Sequence, residues 1–301
     1  MRIFLTGATG FVGRNMLRRL LLQGHEVFVL MRPQPSRLVD LALGGAVPTE
    51  KEKVQLVAGD VVSGAGLDGG MRGCDAVIHL VGIIAEKGSN TFEAVHHVGT
   101  RNVVEAAQRN GIKRFVHMSA VGARADGVAA YQTSKWKGEE EVRHSAVPYC
   151  ILRPSLIFGP GDGFVTQMMQ MMKNAPLFRP VPGDGRPRFR PVFIDDVIFC
   201  FASALTNDAA TNQTIELGGA DELTLNEVLA EIARCASVSK PAIHIPLPLM
   251  FAGAALARIL PNPPVTVDQL RMLREGSTCD IEPMKRIFGL QPRGFAGCGR
   301  K

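Results

Sequence analysis

Tyr131 and Lys135 are the residues of this chain whose types and spacing best suit chemistry. Because they are four residues apart, they would share one face of a helix. A tyrosine with its ordinary pKa of ~10 is a poor acid–base catalyst at neutral pH, and a nearby ammonium favours the phenolate. The pair is therefore predicted to move a proton to or from a substrate oxygen. The structural alternative is a helix with a packed tyrosine and an exposed lysine.

A glycine loop precedes this pair in the sequence TGATGFVG, residues 6–13. Gly7 falls where a strand must turn, Gly10 where backbone must approach a ligand, and Gly13 where a helix must pack closely on the sheet. The following helix would direct its unpaired N–H groups at the pyrophosphate of a dinucleotide. The spacing predicts dinucleotide binding, with a purely structural turn as the alternative, because the chain contains 32 glycines.

The end of the second predicted strand, in EVFVLMRPQPSR, bears on the choice of dinucleotide. A carboxylate there would bind the ribose hydroxyls of NAD. This chain has Met31, followed by Arg32, whose guanidinium suits a 2′-phosphate through charge-assisted hydrogen bonds. NADP(H) is therefore favoured over NAD(H). A solvated loop cation is the alternative interpretation of Arg32.

The elements that must position these residues alternate between strand and helix. Six β-rich runs are separated by helical segments or turns: RIFLTG, EVFVLM, VQLVAGDV, DAVIHLVG, RFVHMSA and YCILRPSLIFG. This alternation predicts an α/β fold, a Rossmann-type doubly wound parallel sheet, over residues 1–160. A return to the sheet is expected near 190–220, where two acids begin a helix. Residues 161–301 are predicted to form a smaller, mostly helical and discontinuous substrate domain.

Three further polar residues are weighed for a role in the site. Ser119 ends the fifth strand, where its hydroxyl could orient a substrate carbonyl. His96 is interpreted either as a member of a proton relay or as a helix-packing residue, and His79 as a core residue at a strand end.

Two apolar segments of the C-terminal region have more than one interpretation. The methionines of FVTQMMQMMKNAP could line an apolar substrate mouth, although ordinary helix packing is favoured. PLMFAGAALARIL is short and contains Arg258, so it is predicted to be a buried or interfacial amphipathic helix.

Composition excludes several classes of function. The six cysteines lie far apart without a Cys-x-x-Cys pair, so neither a metal site nor a disulfide framework is expected. The net charge of +6 is dispersed and suits phosphate-bearing ligands or an acidic membrane surface. One tryptophan and two tyrosines leave little for base stacking, so nucleic acid is not an expected partner.

No apolar stretch approaches the ~20 residues of a transmembrane helix, and the early glycines would interrupt a signal peptide. A cytoplasmic protein is expected. A monomer or a homodimer, and association with a membrane surface or a respiratory complex, stay open.

The combination of TGATGFVG, AGD at 58–60, Tyr131-x-x-x-Lys135 and RPSLIFGPGD at 153–162 resembles the short-chain dehydrogenase/reductase superfamily, in its extended or atypical branch. HMSAVGA and PVFIDDV are most similar to proteins related to the nucleotide-binding accessory subunit of mitochondrial complex I. The resemblance is strong over residues 1 to about 200.

The resemblance implies a set of cofactor-binding residues and a catalytic set. The catalytic set is Tyr131, Lys135 and Ser119. The cofactor set is Gly7, Thr9, Gly10, Phe11, Val12, Gly13, Arg32, Asp60, Val61, Val81, Gly82, Lys135, Pro154, Ser155 and Ile157. Within it, Asp60 and Val61 match the adenine contacts, and residues 154–157 match the segment whose backbone holds the nicotinamide carboxamide.

Three functions are compatible with this resemblance. The first is an NADP(H)-dependent oxidoreductase on a small or hydrophobic carbonyl or alcohol. The second is a non-catalytic nucleotide-binding protein with a structural or assembly role. The third, a nucleoside-diphosphate-sugar epimerase or dehydratase, is weakened because Phe189 stands where such enzymes often carry an arginine.

Overall fold

The computed structural model describes residues 1–32, 53–257 and 265–296. Strands and helices alternate through its first part: β1 (Arg2–Thr6), α1 (Phe11–Leu22), β2 (Glu26–Met31), β3 (Val54–Ala58), α2 (Leu67–Met71), β4 (Ala76–His79), α3 (Gly99–Arg109), β5 (Arg114–Met118), α4 (Ala130–Arg143) and β6 (Tyr149–Pro154). A π-helical stretch, Glu93–Val98, runs directly into α3.

The later part contains short strands and more helix: β7 (Ile157–Phe158), α5 (Phe164–Asn174), β8 (Arg179–Pro182), β9 (Arg188–Phe189), β10 (Val192–Phe193), α6 (Ile194–Ser203), β11 (Gln213–Leu217), β12 (Leu223–Thr224), α7 (Leu225–Cys235), β13 (Ala242–Ile245), α8 (Leu247–Ala257), α9 (Val267–Glu275) and α10 (Glu282–Phe288). A 3-10 turn, Asp208–Ala210, precedes β11.

Seven parallel strands form one sheet in the order β11-β6-β5-β4-β1-β2-β3. The predicted doubly wound α/β fold is confirmed. The strand order reverses between β1 and β4, which makes the carboxyl ends of these two strands the place where such sheets bind ligands.

Strand β1 shows why both faces of the sheet are covered. Ile3 and Leu5 belong to one core cluster and Phe4 to another, and all three are fully buried. Because successive side chains of a strand point to opposite faces, a continuous apolar run requires helices on both sides. Helix α6 packs against α1 on the first face, and Asp195 and Asp196 lie in its first turn, as predicted.

The sixth predicted strand is corrected. YCILRPSLIFG forms two strands rather than one, since β6 ends at Pro154 and β7 pairs with β10 outside the main sheet. Pro154 has no N–H to extend the ladder. β11 pairs with β6 as the seventh strand of the sheet.

The C-terminal region is mostly helical. Met168 and Met169 pack against the main core and Met172 is fully buried, which favours packing over a substrate mouth for these side chains. Over Leu247–Ala257, helix α8 has no polar side chain, and Ala254 is its only buried residue. Arg258 lies outside the described residues. No helix among the described residues is long and apolar enough to cross a membrane.

Candidate functional site

The glycine loop connects β1 to α1 at the point where the strand order reverses. Gly7 has φ +78°, and a Cβ there would lie 2.9 Å from the carbonyl carbon of Leu80, which follows β4. A Cβ on Gly13 would lie 2.0 Å from the Gly7 oxygen. Both glycines are therefore required by the chain's own packing. A Cβ on Gly10 would meet only the Gly7 oxygen at 3.4 Å, so space remains above Gly10.

The start of α1 provides donors to that space. The first N–H groups of a helix have no intrahelical acceptor, and no side chain caps them here. The first turn contains no acid, so its positive dipole end is not neutralised locally. Thr9 and Gly10 are exposed and Phe11 is partly exposed, whereas Val12 is buried. The loop thus has the chemistry of a pyrophosphate cradle.

Arg32 and Asp60 meet at the ends of β2 and β3. The Arg32 Nε lies 4.0 Å from the Asp60 Oδ2, and the Arg32 side chain is 58% exposed. Asp60 Oδ1 accepts hydrogen bonds from the backbone N–H groups of Val62 and Ser63, at 2.8 and 3.2 Å. Asp60 thus anchors its own turn, and the Arg32 side chain beside it stays mostly exposed. Val61 is buried beside this turn.

His96 ties the loop after β4 to helix α4. Its Nε2 accepts the backbone N–H of Ile83 at 2.9 Å, so the proton must lie on Nδ1, which donates to the Ser134 Oγ at 2.9 Å. Ser134 in turn donates to the carbonyl of Tyr131. Burial, with the charge of Lys135, lowers the pKa of His96 to about 2. These contacts favour the packing interpretation of His96 over a proton relay.

Tyr131 lies on α4 with its ring against His96 and Phe92, both edge-on, at 5.3 and 5.8 Å between centroids. Its hydroxyl has no hydrogen-bond partner within the described ranges. Burial raises the pKa of Tyr131 to about 12. Burial is the only cause of this shift in pKa, and it keeps the phenol protonated in the protein alone.

Lys135 is 3% exposed, and its Nζ donates to the carbonyl of Met118 at the end of β5 at 2.5 Å. A Cβ on Gly82 would lie 3.8 Å from this Nζ, so the loop after β4 passes beside the ammonium. Burial lowers the pKa of Lys135 to about 8, against an opposing effect of Glu139. Lys135, Gly82 and the partly exposed Val81 thus lie at one strand edge, next to the glycine loop.

An ion-pair network sets the position of α4. Glu139 is fully buried, and both of its oxygens accept hydrogen bonds from Arg153 on β6, at 2.7 and 2.6 Å. Arg143 binds the same carboxylate. Removing both arginines would leave the buried charge of Glu139 unpaired.

Ser119 does not join the pair in this structure. Its side chain is 4% exposed, and its Oγ has no partner in the described part of the chain.

Nearby, His117 is also buried with both ring nitrogens unpartnered among the described residues, and it stacks on His79 at 5.4 Å. His79 bonds Thr6 at 2.7 Å and is fully buried, as predicted for a core residue. The sequence analysis did not single out His117. Its position as a polar residue within an otherwise apolar strand could have indicated it.

The segment from Pro154 to Ile157 contacts the C-terminal region. The Ser155 hydroxyl donates to the Ser277 carbonyl at 2.8 Å, and the Ser155 N–H binds the carbonyl of Leu217 at 2.9 Å. Glu275, at the end of α9, binds Gln132 of α4 at 2.6 Å. The C-terminal region therefore closes against the helix that bears Tyr131.

Phe189 is buried, at 7% exposure, between two arginines. Arg188 is 60% exposed, whereas Arg190 is 19% exposed with a buried Nε that has no partner among the described residues. Both arginines lie within 3.5 Å of Glu222. The position that the resemblance reserves for an arginine is thus part of the core.

The sheet order, the glycine loop and the strand-edge residues define a dinucleotide-binding Rossmann protein. The sequence profile of the NAD dependent epimerase/dehydratase family matches residues 3–218, and the chain belongs to this family. The predicted membership of the extended short-chain dehydrogenase/reductases is confirmed.

Two similar proteins are named for different roles, one as a subunit of a respiratory complex and the other as a reductase. The chain is 29% identical over 261 residues to the mitochondrial NADH dehydrogenase [ubiquinone] 1 alpha subcomplex subunit 9 of Arabidopsis thaliana, covering 83% of this chain and 61% of that protein. It thus spans less than two thirds of that relative. It is also 29% identical to a ceramide reductase of Caulobacter vibrioides, covering 84% of this chain and 76% of the relative.

Among solved structures, a mutant UDP-glucuronic acid 4-epimerase of Bacillus cereus, in complex with a substrate analogue and NAD, has a TM-score of 0.76. The match covers 99% of this chain and 96% of that chain at 18% identity. At this identity the likeness shows the fold alone.

Proposed function

We propose that this chain is an NADP(H)-dependent oxidoreductase that acts on a small or hydrophobic carbonyl compound or alcohol. The proposal rests on the hydroxyl of Tyr131, which has no hydrogen-bond partner among the described residues and lies one helical turn from Lys135. It stands on α4 beside the loop after β4, and that loop contacts the glycine loop.

The residues present fit a dinucleotide. The open space above Gly10 and the uncapped start of α1 suit a pyrophosphate, and Arg32 suits a 2′-phosphate. When bound, NADPH supplies a hydride to the carbonyl carbon of the substrate. Binding between the loops after β1 and β4 would bring that chemistry next to Lys135.

Tyr131 provides the proton for the same reduction. Its O–H bond breaks as a new O–H bond forms on the substrate oxygen, which leaves the phenolate. Because burial raises the pKa of Tyr131 to about 12, the residue holds this proton at neutral pH. Lys135, whose pKa is about 8, is mostly a cation at pH 7 and stabilises the phenolate that remains.

Two observations support a hydrophobic substrate. Ile84, in the loop held by His96, is 62% exposed, and Val128, just before α4, is 40% exposed. Val128 lies three residues before Tyr131, and Ile84 follows the residue whose N–H bonds His96. The Caulobacter relative is named for the reduction of ceramide.

A second candidate is a cofactor-binding structural or assembly protein. Ser119 favours it, because the third expected catalytic residue has a buried hydroxyl that bonds neither Tyr131 nor Lys135. The similarity to the Arabidopsis complex I subunit favours it too. A sugar-nucleotide epimerase is weakened further by the burial of Phe189.

Turnover of NADPH with a panel of aldehydes, ketones and enones tests the proposal. Tyr131→Phe should lower turnover by roughly 10²–10⁴, the usual effect of a positioned acid. Cofactor affinity should barely change, since the ring keeps its contacts with His96 and Phe92. Tyr149→Phe, at the only other tyrosine, is the matched control and should retain activity. No turnover across the panel, with tightly bound nucleotide, would support the structural candidate instead.

A further inference from the structure

Helix α4 begins after a residue that cannot cap it. Its N-cap is Ala129, which has no side-chain acceptor for the first N–H groups of the helix. Tyr131 is the second residue of α4 and therefore lies in the first turn, where an uncapped helix frays most readily. The direction of the Tyr131 ring thus depends on the contacts that fix this turn.

Gln132 fixes the start of α4 from within the helix. Its Oε1 accepts the backbone N–H of Ala129 at 3.2 Å, which is one half of a capping box. Gln132 is 4% exposed, and two glycines of the loop after β5 leave room for it. A Cβ on Gly122 would lie 2.7 Å from the Gln132 Nε2, and a Cβ on Gly127 would lie 2.7 Å from the Gln132 Cβ. The loop is therefore shaped around this side chain.

Glu275 determines the orientation of the Gln132 amide. The Gln132 Nε2 donates to the Glu275 Oε2 at 2.6 Å, across 143 residues of sequence. A carboxylate only accepts and a backbone N–H only donates, so the amide nitrogen must face Glu275 and the amide oxygen must face Ala129. Glu275 thus keeps the acceptor of Gln132 on the start of α4.

The position of Glu275 is unfavourable for its own helix. It is the last residue of α9, where the negative end of the helix dipole disfavours a carboxylate. Arg124, in the loop after β5, offsets its charge at 2.6 Å. The chain just after it is also fixed, because the Ser277 N–H donates to the Arg188 carbonyl at 2.8 Å. Glu275 is therefore stabilised by the elements around Tyr131 and not by α9.

We propose that Glu275 is a positioning residue for Tyr131 and acts through Gln132. Glu275 orients the amide, the amide caps α4, and the capped first turn keeps the Tyr131 hydroxyl in the direction needed for proton transfer. This inference rests on the proposed function, in which Tyr131 donates the proton. It gives the C-terminal region a part in that step without contact with the reacting atoms.

Hydrogen exchange of the Ala129 amide tests the contact without any substrate. In Glu275→Met, which keeps a long side chain and removes the acceptor, we expect exchange to quicken roughly fivefold, as for the loss of a helix cap. Asp268→Asn removes an ion pair with Arg271 on the same helix. It is the matched control and should leave the rate unchanged. Unchanged exchange in Glu275→Met would overturn the proposal.

Turnover of NADPH with the carbonyl panel tests the effect on Tyr131. Glu275→Met should lower kcat by roughly 10–100-fold, because a small misplacement of a proton donor is costly. It should change the Kd for NADPH by less than about twofold. In a Tyr131→Phe background, Glu275→Met should lower kcat no further, whereas a general structural fault would lower it again.

These measurements separate the two proposals. If Tyr131→Phe loses turnover and Glu275→Met does not, only the positioning role fails. If Tyr131→Phe keeps its turnover, the proposed function fails.

Exchanging the two side chains gives a variant that keeps the contact. Gln132→Glu alone places two carboxylates against each other, so turnover should slow and exchange at Ala129 should quicken. Gln132→Glu with Glu275→Gln again pairs one acceptor with one donor and leaves an oxygen for Ala129. It should restore kcat and the exchange rate to within about threefold of the parent protein. Failure of the folded double variant to restore either quantity would overturn the proposal.

Discussion

At the scale of single residues, burial decides the protonation of the candidate catalytic pair. The same low-dielectric surroundings raise the pKa of Tyr131 to about 12 and lower that of Lys135 to about 8. Each shift disfavours the charged form of the residue. The pair therefore holds a proton ready to be given, which suits reduction better than oxidation.

The lowered pKa of Lys135 should make the free energy of unfolding depend on pH, and this can be measured without any substrate. Its pKa is about 8 in the folded protein and near 10.5 when unfolded, so the unfolded chain binds more protons between these values. The stability of the protein should rise relative to Lys135→Met by about 3 kcal/mol between pH 8 and 10.5. Urea unfolding of both proteins measures this difference. Lys137→Met, at a partly exposed lysine of the same helix that pairs with Glu93, is the control. A stability difference between the parent protein and Lys135→Met that does not change with pH would contradict the prediction.

Arg32 is predicted to select the 2′-phosphate of NADPH. Arg32→Ala should remove most of the preference for NADPH over NADH, at roughly 1.5–3 kcal/mol for a charge-assisted contact. Calorimetry with both nucleotides measures it, and Arg18→Ala, at an exposed arginine of α1, should keep the preference. Equal affinities in the unmodified protein would exclude this role for Arg32.

At the scale of elements, the glycines of the loop have two different roles, packing within the chain and space for a ligand. The spacing of the glycines alone does not distinguish these roles. Gly7 and Gly13 are required by contacts between the loop, α1 and the residues after β4. Gly10 faces open space, so its lack of a side chain matters only for a ligand.

Gly10→Val should therefore leave the fold intact and weaken NADPH binding by roughly 100-fold or more, equivalent to about 3 kcal/mol of lost phosphate contacts. Gly13→Val should instead destabilise the protein, because its Cβ would overlap the Gly7 oxygen. Gly69→Val, in open space on α2, controls for the substitution itself. Thermal unfolding and calorimetry distinguish these outcomes; unchanged affinity in folded Gly10→Val would mean that the loop is only a turn.

At the scale of the whole molecule, three histidines are buried behind the candidate site. His79, His96 and His117 are each at most 1% exposed. Burial lowers the pKa of His79 to about 3 and that of His96 to about 2, and it holds that of His117 well below its ordinary value. All three are therefore neutral in the folded protein, while in the unfolded chain they titrate near pH 6.5.

This arrangement predicts loss of stability in mild acid. Below pH 6.5 the unfolded chain takes up protons that the folded protein excludes, so stability falls as pH falls, by roughly 2 kcal/mol per histidine at pH 5. His117→Leu should reduce this loss by about one third, whereas His244→Asn, at an exposed histidine, should not change it. Urea unfolding at pH 7 and pH 5 measures the loss, and equal stability of the parent protein at both values would contradict the prediction.

The order of hydrophobic, polar and glycine residues along the chain was enough to predict those features that depend on neighbours in sequence. Strand–helix alternation and the spacing of Gly7, Gly10 and Gly13 predicted the doubly wound sheet and its loop, because periodicity and turn chemistry are local properties. The Met31–Arg32 pair at the end of β2 could likewise be read directly, since the residue after a strand lies at the sheet edge.

Contacts between distant segments decided the rest. The protonated state of Tyr131 and the fixed tautomer of His96 depend on how α4 packs against the loop after β4. The exposure of most of α8, where Ala254 is the only buried residue, depends on which elements pack against it. None of these follows from composition or spacing, because burial and hydrogen-bond partners are set only when the chain has folded and residues far apart in sequence share one environment.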